Sequence, residues 1–277
     1  MELKKLLQIE NDGVHLVVDG QYLYMRCKRS IYKFNLRKMQ MSAENIIFDK
    51  DNQTRLFSIH GDRIFLSGFL DLYMLDKSDL QVKKSFKLGE NNSSDVGGVL
   101  WFDLTKAYIG TRNGWIFILD VDSGNFDRIQ ICNASFWSCY ITENHLFLGT
   151  TKGELHELSK SDFQLIRKAQ LGRTNIAYML LHGNSFYTIA RDKFIKVVDT
   201  ATLEVTRLAK NVVSTMASLV GIYKDYLIVA DWGKVSLWDI NTLKNMMSFH
   251  SLPTNLVQAF CFTKINCLGV TSITYTS

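Results

Sequence analysis

A single phrase recurs along the chain at intervals of about forty residues, and this repeat constrains the fold more than any other feature. Each copy is an apolar, strand-like segment that ends in a polar residue, followed by a short polar turn and a second strand-like segment. Residues 72–81 and 155–164, for example, read LYMLDKSDLQ and LHELSKSDFQ. The strand-ending positions 35, 76, 120, 159, 199 and 239 are separated by 41, 44, 39, 40 and 40 residues.

Each repeat divides into four strand-like segments, which we label a to d, separated by turns. In the sixth copy, Lys224-Asp225 separates strands a and b, and Asp231–Lys234 separates strands b and c. A period of about 40 residues that contains only strands is typical of four-stranded propeller blades. The predicted b strands are Tyr22–Arg26, Arg63–Ser67, Ala107–Thr111, His145–Thr150, Ser185–Ala190 and Tyr226–Ala230.

The two ends of the chain supply the remaining strands of the predicted ring. Val257–Phe262, Ile265–Val270 and Ile273–Ser277 are interpreted as strands a, b and c of a further blade, and Leu3–Ile9 as its fourth strand. Such closure removes free strand edges, which otherwise invite aggregation. The sequence therefore predicts an all-β protein with one domain, residues 1–277. It is a seven-bladed β-propeller of four-stranded antiparallel blades, with the last blade closed by the N-terminal strand.

The repeats resemble those of the WD40 and quinoprotein-like seven-bladed propellers over the full length of the chain. Trp238-Asp239 is a Trp-Asp dipeptide at the end of a c strand, as in WD40 repeats. Two strand-ending residues, Asn35 and Ser159, depart from that pattern, and the Gly-His dipeptide that typically opens WD40 repeats is absent. Because WD40 propellers mostly serve as interaction scaffolds, the resemblance implies a protein-binding role, although a fold does not determine function.

The composition excludes several classes of protein. Apolar residues make up 47% and charged residues 21%, which excludes a disordered chain. The net charge of +5 and the pI near 8.8 are lower than the values expected of a nucleic-acid-binding domain, so nucleic acid is not the expected partner. No apolar segment approaches the roughly 20 residues of a membrane span, and the N-terminal apolar run is too short for a signal peptide.

The five cysteines match no zinc motif, and their odd number argues against a disulfide framework. We expect free thiols, which suit the reducing cytoplasm. The sequence therefore predicts a cytoplasmic protein without metal or cofactor, either a monomer or a subunit of a larger assembly.

In a propeller, the b–c turns and the d–a loops open on one face, here called the upper face, and the a–b and c–d turns open on the lower face. The b–c turns carry cations in five of the six complete copies, whereas Asp71, Asp192 and Asp231 are the acidic residues there. This pattern predicts an anion-attracting upper face with Trp232 as an aromatic anchor; the alternative is that solvated loops carry Lys and Arg anyway. The candidate cations are Arg26, Arg29, Arg112, Lys152, Arg191 and Lys234.

Two other tryptophans, Trp101 and Trp137, fall on predicted a strands, and we expect them to pack in the core. Trp115 follows Asn113-Gly114 and has a place in its blade similar to that of Trp232.

The predicted function is a protein- or peptide-binding scaffold whose upper face recognises an acidic partner. The alternative is a small-molecule lyase or hydrolase with a site at the channel mouth, because propeller enzymes assemble their sites from several blades. The six histidines fall on different blades, and the G-x-S-x-G, P-loop and H-E-x-x-H motifs are absent. No catalytic residue is assigned, and a non-enzymatic role is favoured.

Overall fold

The structure, a computed structural model, describes residues 14–27, 30–38, 40–47, 57–67, 71–88, 96–103, 105–210, 218–231 and 234–250. These residues form six four-stranded antiparallel sheets whose strands follow one another in chain order. Among them, no helix has the length and apolarity that crossing a bilayer requires. The protein is therefore an all-β propeller with four-stranded antiparallel blades.

The first three blades contain strands β1 to β12. Blade 1 consists of β1 (Val14–Asp19), β2 (Tyr22–Cys27), β3 (Ser30–Asn35) and β4 (Gln40–Ile46). Blade 2 consists of β5 (Phe57–His60), β6 (Arg63–Ser67), β7 (Asp71–Asp76) and β8 (Val82–Lys87). Blade 3 consists of β9 (Val96–Asp103), β10 (Lys106–Thr111), β11 (Trp115–Asp120) and β12 (Phe126–Gln130).

The next three blades contain strands β13 to β24. Blade 4 consists of β13 (Phe136–Ile141), β14 (His145–Thr150), β15 (Glu154–Ser159) and β16 (Leu165–Gln170). Blade 5 consists of β17 (Ile176–His182), β18 (Ser185–Ala190), β19 (Ile195–Asp199) and β20 (Val205–Ala209). Blade 6 consists of β21 (Ser218–Tyr223), β22 (Tyr226–Asp231), β23 (Lys234–Asp239) and β24 (Asn245–His250). The b strands agree with the sequence prediction to within one residue.

The number of blades differs from the prediction, because the described residues form six blades rather than seven. The seventh blade was inferred from Leu3–Ile9 and from residues 257–277, which lie outside the described residues. That inference rested on the chain left over at the two ends and not on the repeat itself. The a strands of successive blades contact one another in order, from β1 and β5 through to β17 and β21.

The hydrophobic core lies in the seams between blades. In the seam of blades 2 and 3, Phe65 and Leu72 pack in one cluster with Phe117 and Leu119. The b strands are buried over nearly their whole length because both of their faces contact neighbouring blades; residues 64–67 are each at most 1% exposed. Full burial of one such apolar side chain stabilises the fold by about 1.5–3 kcal/mol.

In five of the six described blades, the polar residue that ends the c strand caps the turn that follows it; in blade 4, Ser159 instead contacts the hydroxyl of Ser161. Oδ1 of Asp199 accepts hydrogen bonds from the backbone N–H groups of Thr202 at 2.8 Å and Ala201 at 2.9 Å. These bonds stabilise the ionised carboxylate and hold the pKa of Asp199 below its usual value. The repeated aspartate is therefore a structural turn cap. Backbone hydrogen bonds of the same kind are accepted by Asn35, Asp76, Asp120 and Asp239.

In blades 2 to 6, a residue in the left-handed region of φ closes the c–d turn four residues after the polar residue that ends the c strand. In blade 5 it is Leu203, whose N–H donates to the carbonyl of Asp199 at 2.8 Å. Left-handed backbone costs a residue with a Cβ about 1–2 kcal/mol, and burial of the apolar side chain in the seam offsets that cost. The equivalent residues elsewhere are Leu80 (φ 61°), Gly124 (φ 81°), Phe163 (φ 60°) and Leu243 (φ 53°).

Cations from one blade bind the c–d turn of the next blade. Each cation donates to backbone carbonyls that the turn itself leaves available, and so ties adjacent blades together. We call these four residues the seam cations. They are Lys33 with Lys77 O (3.0 Å), Lys84 with Asp122 O (2.8 Å), Arg167 with Thr200 O (2.7 Å) and Arg207 with Ile240 O (2.8 Å).

Candidate functional site: the upper face of blades 3 to 5

In blades 3 and 4, hydrogen bonds and close packing fix the backbone of the b–c turns. In blade 4, Oγ1 of Thr150 accepts a hydrogen bond from the N–H of Glu154 at 3.1 Å, and Gly153 between them has a φ of +76°. A Cβ at Gly153 would lie 2.8 Å from the carbonyl oxygen of Thr174 and would overlap the carbonyl of Gly172. The turn therefore packs directly against the loop to the next blade. Blade 3 repeats this arrangement with Thr111, Gly114 and Trp115.

Three of the predicted cations, Arg112, Lys152 and Arg191, are exposed on these b–c turns. The backbone at two of them is anchored by side chains of the same face. Ser135 donates to the carbonyl of Arg112 at 2.6 Å, and Gln170 donates to the carbonyl of Lys152 at 2.8 Å. The charged groups therefore extend into solvent from a backbone that is already fixed.

Arg26 does not lie on an exposed loop, and that prediction is wrong. It belongs to β2, where it pairs with His15 and Ile31, and only 4% of it is exposed. Strands β2 and β3 continue to Cys27 and Ser30, so the turn between them is shorter than predicted and Arg26 is buried against neighbouring structure. A partner approaching the upper face would not reach it.

The remaining predicted contacts fall partly outside the described residues. Lys234 is the first residue of β23, pairs with Asp231 and His250, and is half-buried. Arg29 and Trp232 lie outside the described residues, and their roles stay predictions.

The structure identifies Trp137 as an exposed residue of the upper face, which sequence reasoning missed. It lies at a bulge of β13: Phe136 pairs with Thr150 and Ser138 pairs with Gly149, so Trp137 has no opposite residue on β14. Phe136 is fully buried and Ser138 is 6% exposed, whereas Trp137 is 37% exposed. A bulge adds one residue to a strand and re-aims the side chain there. The expectation that Trp137 packs in the core is therefore wrong.

The ring of Trp137 contacts the guanidinium of Arg191 across the seam between blades 4 and 5. The Arg191 Cζ atom lies 5.1 Å from the ring centroid, which is a cation–π distance. A guanidinium is planar and can pair with a carboxylate through two parallel hydrogen bonds. Trp101, in contrast, is 8% exposed and stacks on Tyr108 with 5.3 Å between ring centroids, as expected for a core residue.

The one acidic residue in the b–c turn of blade 5 is already neutralised. Asp192 forms an ion pair with the buried ammonium of Lys196 and accepts a hydrogen bond from the N–H of Phe194 at 3.2 Å. It therefore does not cancel the charge of its neighbour Arg191. The exposed cations on the upper face of blades 3 to 5 are Arg112, Lys152, Arg173, Arg191, Lys193 and Lys210.

The ionisable side chains of β15 serve the fold. Glu157 is 2% exposed and forms an ion pair with Arg167, and its other oxygen lies 3.0 Å from Nδ1 of His145. The 3%-exposed His156 lies with its Nε2 atom 3.3 Å from a carboxylate oxygen of Glu154. Glu157 and His156 both lie within β15, the third of the four strands of blade 4.

The described thiols are poorly suited to nucleophilic chemistry. Cys132 and Cys139 are both free. Burial raises the pKa of Cys139 to about 12, so this thiol is protonated at neutral pH. Among the residues that the structure describes, no group of three or more His, Cys, Asp and Glu side chains is arranged to hold a metal ion.

No protein-family model matches the chain, and no curated protein matches it. The solved structures that are similar to this chain include the following two. The β-propeller domain of Cps50 (Swd1) from Myceliophteria thermophila superimposes with a TM-score of 0.71 at 12% identity, covering 90% of this chain and 89% of that one. The computationally designed Ika8 protein superimposes with a TM-score of 0.66 at 12% identity, covering 90% of this chain and 91% of that one. Identity this low carries information on the fold alone, and by its fold the chain is a β-propeller.

Proposed function

We propose that this protein is a protein- or peptide-binding scaffold whose upper face recognises an acidic partner. The observation that carries the proposal is the pair formed by Trp137 and Arg191, an exposed aromatic ring and a guanidinium held together across a seam. Trp and Arg are among the residues that dominate the energetics of protein interfaces. β-Propellers often act as interaction scaffolds, and the resemblance to WD40 repeats supports the same role.

The charge around this pair favours an acidic partner. Arg112, Lys152 and Lys193 are exposed on the same face of blades 3 to 5, and Asp192 is neutralised by Lys196. Such a surface raises the rate of encounter with anionic partners, and an arginine fork pairs with a carboxylate through two hydrogen bonds. Because the turns are rigid before binding, little conformational entropy is lost on association.

Arg29, Lys234 and Trp232 would extend this surface toward blades 1 and 6. A scaffold of this kind works as a monomer or as a subunit of a larger assembly, and its free thiols suit the cytoplasm. The lyase or hydrolase alternative stays a hypothesis from the sequence, and no described residue favours it.

Affinity capture from host lysate at low and high salt tests the proposal. The bait is the wild-type protein, the double variant Arg112→Glu/Arg191→Glu, or a control with the same change in charge on the lower face, Arg37→Glu/Lys106→Glu. Both control residues are exposed. Captured proteins are quantified by mass spectrometry.

We expect a partner with an acidic segment that is captured by the wild type and by the control, lost with the upper-face variant, and weakened by high salt. A partner captured equally by the upper-face variant would overturn the proposal. Failure of the wild type to capture any protein would also contradict it, and would direct attention to a substrate screen.

A further inference from the structure

The upper end of the seam between blades 4 and 5 brings exposed cations together. Gly172, in the loop that joins the two blades, packs directly on the ion pair between Asp192 and Lys196. A Cβ built on Gly172 would lie 2.8 Å from Nζ of Lys196 and 3.0 Å from Oδ2 of Asp192, so the loop lies against the b–c turn of blade 5. The exposed cations that adjoin these contacting residues in the chain are Arg173, Arg191 and Lys193.

This group, which we call the upper cluster, carries positive charge that the fold leaves uncompensated. It consists of the three exposed cations with Asp192 and Lys196, that is four cations and one carboxylate, so its net charge is +3. The carboxylate of Asp192 is already paired with the buried ammonium of Lys196. Among the residues that the structure describes, none of the three exposed cations forms an ion pair. The upper cluster can therefore attract an anion from outside the protein.

The equivalent end of the seam between blades 3 and 4 lacks this concentration of charge. The positions of the three exposed cations in the repeat are taken there by Asn133, Thr151 and Gly153. That seam also has its own carboxylate, Glu154, which pairs with Lys168 at 3.2 Å. Two seams built from the same repeat therefore differ in charge, which argues against the alternative that all upper loops carry Lys and Arg merely because they are solvated.

The backbone of Lys193 supports a role in binding. Its φ is +68°, in the left-handed region, and its N–H closes the b–c turn by donating to the carbonyl of Ala190 at 3.2 Å. Blades 3 and 4 have glycine at this position, Gly114 and Gly153, which adopts such backbone without strain. The Lys193 side chain is exposed, so no burial offsets the strain that its Cβ creates. Strained residues of this kind concentrate at functional sites, and the charge of Lys193 is what distinguishes it from the glycines.

We propose that the acidic partner carries a phosphorylated residue, and that its phosphate group binds the upper cluster. This inference rests on the proposed function and names the chemistry of the partner. A phosphoserine side chain carries a charge of about −1.5 to −2 at neutral pH and three acceptor oxygens, whereas a carboxylate carries a single charge. The phosphate therefore matches the net charge of the cluster better, and it can accept hydrogen bonds from Arg173, Arg191 and Lys193 together. The ring of Trp137, with its centroid 5.1 Å from Cζ of Arg191, lies beside this site and is placed to contact the residues that flank the phosphorylated one.

Fluorescence anisotropy with labelled nonapeptide pools tests this site. The pools share random flanking positions and differ at the central residue, which is phosphoserine, glutamate or serine. Arg173→Gln/Lys193→Gln removes two charges from the upper cluster, and Arg112→Gln/Lys152→Gln, the matched control, removes two exposed charges from the b–c turns of blades 3 and 4. Lys193→Gly gives blade 5 the residue that its sister turns carry, and urea unfolding reports the stability of every variant.

We expect the wild type to bind the phosphoserine pool about tenfold more tightly than the glutamate pool, and the serine pool least tightly. Arg173→Gln/Lys193→Gln should weaken binding of the phosphoserine pool about tenfold or more, and the matched control should weaken it less than about threefold. Lys193→Gly should bind the phosphoserine pool less tightly than the wild type, although its urea midpoint should be equal or higher because the strain is relieved. A purely structural role of Lys193 would not separate affinity from stability in this way.

Equal affinity for the phosphoserine and glutamate pools would overturn the inference; if both pools were then lost with Arg112→Glu/Arg191→Glu, the proposed function would still be supported. Equal weakening by Arg173→Gln/Lys193→Gln and by the matched control would also overturn it, because the charges would then act over the whole face. The same holds if the wild type binds none of the pools. Vesicles that contain phosphatidylinositol 4-phosphate are tested by co-sedimentation, and binding to them in place of the phosphoserine pool would assign the upper cluster to a lipid and refute a phosphorylated protein partner.

Discussion

The two faces of this propeller are built by the same repeat, yet they use charged residues for different purposes. On the lower face, Asp199 caps its own turn and the seam cation Arg167 binds the carbonyls of the next blade. On the upper face, Arg112 and Lys152 extend into solvent from turns whose backbone is held by Ser135 and Gln170. On the lower face, charged side chains form hydrogen bonds with backbone groups of the turns. On the upper face, neutral side chains hold the turn backbone, and the charged side chains stay exposed.

The largest expected effect is the loss of stability when a glycine in an upper-face turn gains a side chain, compared with the same change in a lower-face turn. Gly153→Ala should destabilise the protein by about 4 kcal/mol, because the new Cβ combines a left-handed φ with overlap of the carbonyl of Gly172. Gly61→Ala on the lower face has the same kind of φ but no atom within 4 Å, so it should cost about 1 kcal/mol. Urea unfolding followed by tryptophan fluorescence measures both. Equal costs would show that the upper turns are not packed against the d–a loops.

The second largest expected effect is the difference in lost stability between removing an arginine on the lower face and removing one on the upper face. Arg167→Met should cost about 3 kcal/mol, because it leaves the buried carboxylate of Glu157 without its main partner and removes the contacts to the next blade. Arg112→Met, which removes the same charge from the upper face, should cost less than about 0.5 kcal/mol. The same unfolding experiment applies. A similar loss for both variants would contradict the distinction between structural and available charges.

The third prediction concerns the dependence of stability on pH. Hydrogen bonds from the turn backbone hold the pKa values of Asp199 and Asp239 below the usual 3.8. Because the folded-state pKa is the lower one, this stabilisation is present above pH 3.8 and is lost as the pH falls through the folded-state values. The thermal midpoint should therefore be level from pH 7 to about 5 and decline below about 4.

The control for the acid prediction replaces the charge but keeps an oxygen acceptor in every capped turn. A variant with asparagine at all four positions should lose less of its thermal midpoint between pH 5 and pH 3 than the wild type does. The same acid response in both proteins would locate the sensitive carboxylates elsewhere. The four positions are Asp76, Asp120, Asp199 and Asp239.

The smallest expected change in stability belongs to Arg191. Its contact with Trp137 is an exposed cation–π pair, so Arg191→Met should cost less than about 1 kcal/mol in urea unfolding. Arg207→Met, which removes hydrogen bonds to the carbonyl of Ile240 and the hydroxyl of Tyr187, should cost more. If Arg191→Met lowered the free energy of unfolding more than Arg207→Met did, the contact of Arg191 with Trp137 would be a structural one.

The fold was readable from the sequence because its repeat has a local physical cause. A capping residue such as Asp199 and a left-handed residue such as Leu203 recur at a fixed offset, and each copy terminates one strand and begins another. The b strands were equally visible, since burial on both faces requires unbroken apolar runs such as residues 146–149. These features depend on a few neighbouring residues, and a sequence displays them directly.

The positions of the candidate residues on the upper face were only partly predictable, because exposure there depends on geometry that the sequence pattern does not encode. Arg112, Lys152 and Arg191 were found from the position of the b–c turns. The burial of Arg26 depends on a strand that is one residue longer than predicted, and the exposure of Trp137 depends on a bulge opposite Thr150. Simple alternation would place Phe136 and Ser138 on one face, whereas the bulge sets them opposite Thr150 and Gly149, on different faces, so the sequence pattern gave no signal of this geometry.

Site-specific photo-crosslinking in host cells tests the central claim most directly. The photoreactive residue p-benzoylphenylalanine replaces Trp137 on the upper face or, as the control, Arg37 on the lower face, and cross-linked proteins are identified by mass spectrometry. The account predicts a cross-link from position 137 to an acidic segment of a partner, abolished by Arg112→Glu/Arg191→Glu, and no cross-link to that partner from position 37. A partner cross-linked from position 37 but not from position 137 would contradict it.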